Sequence, residues 1–191
     1  MTMERRNINS EFQVDESRTV TGYAICFDTP SEDLGFIEVI HAGAVDDETI
    51  KNSDVFAKFN HNDEKVLARS KYGEGSLLLE VDEKGLRYMF DSPKTALGDE
   101  LLEYLKRGDL NQSSFAFTID STDPSAEKWH KENGILYRDI FKIERLYDVS
   151  PVFCPAYEAT TCESKRFKEV QDRSAELDGK YELMIAEIKQ L

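Results

Sequence analysis

The most constraining feature of this sequence is an alternation of apolar and polar residues that recurs through most of the first 160 residues. Successive side chains of a strand point to opposite faces, so such alternation is typical of strands that bury one face. Seven stretches show it, with turn residues between them: 19–27, 36–40, 54–60, 76–81, 86–91, 113–119 and 136–149. The linker DEKG predicts a hairpin between the fourth and fifth stretches, with Gly85 at a positive φ. The sequence therefore predicts an α+β fold that is mainly β.

One helix interrupts the strands at about 95–107, TALGDELLEYLKR. Its leucines recur at helical spacing: Leu97, Leu101, Leu102 and Leu105. Lys106 and Arg107 suit the negative end of the helix dipole, and Gly108 can end the helix. By contrast, the polar stretch 121–135 has no clear period and is predicted as a solvated loop.

The last part of the chain has a different pattern, a heptad repeat that runs to residue 191. Its positions alternate at intervals of three and four: Phe167, Val170, Ser174, Leu177, Tyr181, Met184, Ile188 and Leu191. This spacing predicts a helix that packs against another helix, either on its own domain or as a coiled coil. Ser174 and Gly179 weaken an isolated coiled coil. We therefore expect an N-terminal segment (1–18), one globular domain (19–162) and a C-terminal helix (163–191).

Composition and charge narrow the range of functions. At 191 residues the chain is long enough for one globular domain with an appendage. A net charge of −14, with no basic block, argues against nucleic acid or an anionic membrane as the partner. No segment is apolar enough for a signal peptide or a membrane span, which predicts a protein that stays in the cytoplasm where it is made. The sequence carries no cofactor motif, and Cys26, Cys154 and Cys162 lack metal-ligand spacing, so neither a cofactor nor a metal is expected.

Without a cofactor, the chemistry open to this chain is attack by a Ser, Cys or Thr nucleophile with a His as base. The three histidines are His41, His61 and His130. His61, in KFNHNDEK, is the best placed of them, because it ends an apolar strand and precedes carboxylates that favour the imidazolium. A structural or solvent-facing role is the ordinary alternative for each of the three.

Two adjacent serines, Ser113 and Ser114, open the run SSFAFT. Strand parity places Ser113 on the core face, together with both phenylalanines of that run. Ser114 lies on the other face among small side chains, where we expect it to be open to a substrate backbone. Parity alone also allows Ser114 to be an ordinary polar residue on a solvent-facing surface.

Two carboxylates can lie on the same side of the sheet as Ser114. Along 140–150 the apolar side chains have one parity, and Glu144 and Asp148 have the other. A carboxylate that accepts a hydrogen bond from a His ring holds its tautomer and stabilises the imidazolium formed during nucleophilic attack. Spacing alone does not choose between Glu144, Asp148 and an ordinary surface role for both.

Six motifs occur in the order seen in the tailed-phage prohead maturation proteases: TGYAICFD, FIEVIHAGAVDD, FNHNDEKVLARS, LEVDEKGLRYMFD, LKRGDLNQSSFAF and LYDVSPVFCPAYEAT. The sequence resembles this family, also called head maturation or capsid assembly proteases, over roughly residues 20–162. The resemblance implies a serine endopeptidase related in fold to the herpesvirus assemblins, with a compact β-barrel ringed by a few helices. It implies His61 and Ser114 as the core of the catalytic site. Asp148 stands where the family usually has Glu, and Glu144 is the nearest alternative.

The resemblance also implies a biological role. The substrates would be the scaffolding protein or the scaffold-like segment of the major capsid protein, cleaved inside the prohead in the host cytoplasm, together with self-cleavage. A homodimer is expected by analogy with the assemblins, and the heptad helix would join the protease to the scaffold. The oxyanion hole stays open between backbone N–H groups near Ser114 and the side chain of Arg69.

Two other hypotheses compete with this one. In the first, the chain is a non-enzymatic capsid-assembly or scaffolding module that acts through its C-terminal helix. In the second, Cys154 and His61 form a cysteine peptidase, although no cation or helix dipole near Cys154 favours its thiolate. The serine peptidase and the assembly module make different predictions about Ser114, because only the serine peptidase needs its hydroxyl.

Overall fold

The computed structural model describes residues 2–10 and 12–153, which contain thirteen strands and two helices. The heptad segment, Cys154 and Cys162 lie outside this part. In chain order the elements are β1 (Glu4–Asn9), β2 (Gln13–Val14), β3 (Thr19–Cys26), β4 (Ile37–Ile40), α1 (Asp47–Lys51), β5 (Asp54–Lys58), β6 (Val66–Lys71), β7 (Glu74–Gly75), β8 (Leu77–Val81), β9 (Gly85–Asp91), α2 (Ala96–Arg107), β10 (Gln112–Thr118), β11 (Glu127–Glu132), β12 (Ile135–Ile140) and β13 (Arg145–Val152).

The strands form three sheets. The largest has the order β1-β10-β13-β5-β6-β7, the second β2-β3-β9-β8, and the third β11-β12-β4. Paired strands run antiparallel except for β13 with β5 and β12 with β4, which are parallel. The prediction of a mainly β domain is confirmed.

The predicted closed β-barrel is wrong, because no sheet in residues 2–10 and 12–153 closes on itself. A barrel needs unbroken strand pairing around its whole circumference. Here the chain leaves its ladder after β12, where the N–H groups of Phe141 and Ile143 donate to the carbonyls of Ala126 and Ala44 at 2.9 and 2.7 Å. This turn splits the predicted strand 136–149 into β12 and β13, which join different sheets. Strand pairing is therefore divided among three open sheets.

The predicted solvated loop at 121–135 is also wrong, because it contains β11 and the start of β12, which pair as a hairpin. β11 is the edge strand of the third sheet, and none of its six residues is buried. A strand that buries neither face has no reason to alternate polar and apolar residues. The remaining predicted strands are confirmed to within two residues at their ends.

Local turn chemistry follows the prediction. β8 and β9 form the expected hairpin, and Gly85 has φ 158°. A Cβ at this position would lie 1.9 Å from the carbonyl oxygen of Ile25, so only glycine fits there. The predicted helix is confirmed as α2, which Thr95 caps at its N-terminus and Gly108 ends with φ 74°.

β10 occupies the interior of the largest sheet, between β1 and β13. All seven of its residues are buried. On its core face the rings of Phe115 and Phe117 stack with centroids 5.3 Å apart. On the same face, the hydroxyls of Ser113 and Tyr88 in β9 form a hydrogen bond of 2.7 Å. The second sheet therefore packs against this side of β10 and leaves the other side to the candidate site.

A buried charge cluster fastens β1 to the third sheet. Arg138 of β12 donates hydrogen bonds to Glu4 at 3.0 Å, to Glu38 at 2.9 Å and to Glu127 at 2.6 Å. Arg6 donates to Glu38 at 2.7 Å. Burial opposes the charge on Arg138, but the carboxylates around it, that of Glu4 foremost, outweigh this effect and raise the pKa of Arg138. Because β1 pairs with β10, the cluster also supports one flank of the strand that carries Ser114.

Candidate active site

His61 lies in the loop between β5 and β6, where Asn60 and His61 both adopt left-handed backbone conformations with φ 53° and 57°. Phe59 N–H donates to the Lys65 carbonyl at 2.9 Å and closes the loop. Asn60 N–H donates to the carbonyl of Pro151 in β13 at 3.1 Å and ties the loop to the largest sheet. Left-handed conformations are costly for residues other than glycine and cluster at functional sites. Here they turn the imidazole of His61 toward β10.

Ser114 meets that imidazole. Its Oγ lies 2.5 Å from Nε2 of His61, while the hydroxyl of Ser113 bonds to Tyr88 on the opposite face. The two serines therefore point to opposite faces, as parity predicts. The expectation of an open surface around Ser114 is wrong, because the residue is 0% exposed. Parity assigns a face to a side chain but carries no information about what covers that face.

Asp148 approaches the other nitrogen of the same ring. Its Oδ1 lies 2.9 Å from His61 Nδ1, and its side chain is 1% exposed. Among the described residues, Nδ1 has no partner in hydrogen-bond alignment, so the ring and the carboxylate lie close together without an aligned hydrogen bond. Such alignment commonly improves when a substrate binds. Ser150 Oγ donates to the same Oδ1 at 2.9 Å, and Lys58 Nζ lies 4.0 Å from Oδ2.

Glu144, the alternative carboxylate, lies elsewhere on the sheet. Its Oε2 accepts a 3.4 Å hydrogen bond from Thr118 Oγ1. Thr118 is four residues along β10 from Ser114, which corresponds to about 13 Å of strand. The structure therefore brings together His61, Ser114 and Asp148, and it does not bring Glu144 to the ring.

Arg69, considered as an oxyanion-hole residue, does not lie beside Ser114. It belongs to β6, which is separated from β10 by β13 and β5, so three strand spacings of about 14 Å in all lie between them. Its guanidinium is paired with Asp54, with Nε 2.7 Å from Oδ1. The structure gives no support to Arg69 as the oxyanion donor.

Two residues beside the Asp148 carboxylate were missed from the sequence, Lys58 and Ser150. Both lie within two residues of a predicted strand end or site residue, and Ser150 has the same strand parity as Asp148. That parity was the available signal for Ser150.

The cysteine alternative gains nothing here, because Cys154 lies outside the described residues and His61 Nε2 is occupied by Ser114. Burial raises the pKa of the Cys26 thiol.

The other two histidines form a separate cluster around Asp139. His41 Nε2 lies 2.8 Å from one oxygen of Asp139, and its Nδ1 lies 2.8 Å from Asp28. His130 Nδ1 lies 2.9 Å from the second oxygen of Asp139. Burial opposes the charge on His41, but its contacts with Asp139 and Asp28 outweigh burial and raise the pKa of His41. Through these contacts His41 links the end of β4 to Asp139 of β12.

We expect His41→Gln to destabilise the protein more at about pH 5.5 than at about pH 8.5. The folded-state pKa of His41 is raised, so its stabilising charge is fully present below the unfolded pKa of about 6.5 and is lost as pH rises through the folded value. The side chain is 30% exposed, so the effect should stay below about 1 kcal/mol. Urea unfolding of both proteins at the two pH values measures it. Equal losses of stability at both values would contradict the assignment.

The part of the sequence that carries His61, Ser114 and Asp148 matches a known protein family. A family model described as caudovirus prohead serine protease matches residues 3–173. The chain belongs to this family. It is therefore a serine peptidase of prohead maturation, as the sequence motifs predict. The match to the prohead protease family begins before residue 20 and takes in β1, which flanks the strand of Ser114.

No curated protein and no solved structure matches this prohead protease. In the described residues, no helix has the length and apolar character needed to cross a membrane.

Proposed function

We propose that this prohead protease cleaves peptide bonds with a triad of Ser114, His61 and Asp148. The observation that carries the proposal is the position of one imidazole ring between a serine and a carboxylate. Nε2 of His61 lies 2.5 Å from the Ser114 hydroxyl, and Nδ1 lies 2.9 Å from Asp148. A nucleophile, a base within hydrogen-bond reach and a group that orients the base are the parts that acyl transfer requires.

The chemistry follows from these contacts. Ser114 Oγ attacks the scissile carbonyl as its proton passes to Nε2 of His61, which gives a tetrahedral oxyanion and an imidazolium. Asp148 stabilises that imidazolium from the Nδ1 side. The imidazolium then protonates the leaving amine, the C–N bond breaks, and an acyl-enzyme remains on Ser114. Water, deprotonated by His61, releases the second product and restores the serine.

The low dielectric around the triad strengthens these interactions. Ser114 and Asp148 are 0% and 1% exposed, so their charges and hydrogen bonds are little screened by water. The same burial means that a substrate carbonyl reaches Ser114 Oγ only after the group that covers it has moved.

The substrates that we propose are the scaffolding protein and the scaffold-like segment of the major capsid protein, together with the protease chain itself. Membership of the prohead protease family supports a capsid protein as substrate. Action inside the prohead, in the host cytoplasm, belongs to the same proposal. A homodimer, and attachment of the 163–191 segment to the scaffold, rest on the resemblance and the heptad pattern alone.

The test is co-expression with the cognate capsid and scaffolding proteins, comparing wild type with Ser114→Ala. We expect Ser114→Ala to abolish processing, since loss of the nucleophile lowers the rate by roughly 10⁴-fold or more. Ser113→Ala is the matched control, because it removes a neighbouring buried hydroxyl from the opposite face of β10. Gel electrophoresis and intact mass of every chain measure processing and self-cleavage separately.

The outcomes separate the competing hypotheses. Processing that continues in Ser114→Ala would favour the assembly module that acts through its C-terminal helix. An inactive Ser113→Ala with an active Ser114→Ala would make Ser113 the nucleophile and overturn the proposed triad.

A further inference from the structure

Ser150 lies directly beside the candidate triad. In the register of the largest sheet it is the residue of β13 opposite Ser114 of β10. It is 0% exposed, and its Oγ donates a 2.9 Å hydrogen bond to Oδ1 of Asp148. This is the same carboxylate oxygen that lies 2.9 Å from His61 Nδ1.

We propose that Ser150 is a positioning residue that holds the Asp148 carboxylate toward His61; this inference rests on the triad proposed above. The ring does not hold the carboxylate by a hydrogen bond of its own, because Nδ1 has no partner in hydrogen-bond alignment among the described residues. Lys58 does not hold it either. Its Nζ lies 4.0 Å from Oδ2, beyond hydrogen-bond distance, and forms a 2.7 Å contact with Asp63 instead. Among the described residues, the Ser150 hydroxyl thus fixes the orientation of this side chain.

The position of Ser150 in the chain strengthens the assignment. Ser150 and Pro151 are consecutive residues of β13, and one contacts Asp148 while the other contacts the loop of His61. Ser150 Oγ binds Asp148, while the carbonyl of Pro151 accepts from Asn60 N–H at 3.1 Å and anchors the loop of His61. One rigid stretch of an interior strand therefore sets both the base and the carboxylate. A catalytic arrangement of this kind loses rate when a supporting contact is removed.

Ser150 does not serve as a second nucleophile in this arrangement. Its proton is directed to a carboxylate oxygen, whereas Nε2 of His61 meets Ser114. Without the Ser150 hydroxyl, the Asp148 side chain can rotate away from the ring toward Lys58. The imidazolium that forms during attack then loses its partner, so nucleophilic attack slows.

A fluorophosphonate–biotin probe tests this without knowledge of the natural substrate. Ser114 Oγ forms a bond to phosphorus, fluoride leaves, and the hydroxyl proton passes to His61. We expect Ser150→Ala to lower the second-order labelling rate by about 10²-fold. We also expect the acidic limb of its pH–rate profile to move to lower pH, because an imidazolium without Asp148 is less stabilised. Ser150→Thr keeps a hydroxyl and should retain more of the rate than Ser150→Ala.

Ser113→Ala is the matched control, since Ser113 is also a 0% exposed serine with a hydrogen-bonded hydroxyl, but on the core face. Its labelling rate should stay within about two-fold of wild type, and thermal unfolding of both variants checks that they are equally folded. Labelling of Ser150→Ala at the rate and pH dependence of Ser113→Ala would overturn the inference and leave the triad standing. Wild type that is not labelled at Ser114, identified by peptide mass, would overturn the triad and the inference together.

Discussion

Asp148→Asn is expected to lower the rate of peptide-bond cleavage by about 10⁴-fold while the protein stays folded. The amide has the shape of the carboxylate, but it presents an NH₂ group that can donate to His61 Nδ1. The ring then carries its proton on Nε2, the nitrogen that lies 2.5 Å from Ser114 Oγ. A protonated Nε2 cannot accept the serine proton, and the amide cannot stabilise an imidazolium. The measurement is a time course of capsid-protein cleavage with purified wild type and variant.

The control for this prediction is Glu144→Gln, which removes the carboxylate that the sequence left as the alternative. Glu144 contacts Thr118 rather than the ring, so this variant should cleave at nearly the wild-type rate. A strong loss in Glu144→Gln together with an active Asp148→Asn would move the carboxylate role to Glu144. Similar moderate losses of cleavage rate in both variants would show that neither carboxylate is by itself the partner of the His61 ring.

The face on which each site residue lies could be predicted from the sequence, because strand parity is a local property. Ser113 and Ser114 take opposite faces, and Asp148 shares the face of Ser114, as alternation predicts. The choice between Asp148 and Glu144 could not be made in this way. It depends on the turn after β12 and on the irregularity between Ala116 and Phe117 in the register of β10 with β13. Both set how far β13 slides along β10, which no local pattern shows.

The sheet that holds the site was only partly predictable, since β1 was not among the predicted strands. Its sequence ERRNIN has no apolar face, and Glu4 is nevertheless 5% exposed. A buried glutamate is stable only with a partner, and its partner Arg138 is 134 residues away in the chain. What fixes these residues as a strand is therefore tertiary, namely the pairing of β1 with β10 and the ion pair of Glu4 with Arg138. Patterns read within a short window cannot contain it.

Arg138→Ala is expected to lower the free energy of unfolding by about 3 kcal/mol, near the lower end of the range for breaking a buried ion pair. The Arg138 side chain is 4% exposed and bridges the buried carboxylates of Glu4 and Glu38. Its removal leaves these two negative charges close together in a low dielectric. Arg6 still contacts both, which is why the loss should not reach the upper end. Urea unfolding at neutral pH measures the change.

The matched control for this stability prediction is Arg87→Ala, which breaks an Arg–Glu contact whose side chains are 38% and 52% exposed. Solvent screens that pair, so the control should lose less than about 1 kcal/mol. Arg138→Ala should also slow fluorophosphonate labelling of Ser114, because β1 is joined to the third sheet through this cluster and pairs directly with β10. If the two variants lost equal stability, the cluster would not be the contact that holds β1. If Arg138→Ala lost stability but kept the labelling rate, β1 would support the fold without shaping the site.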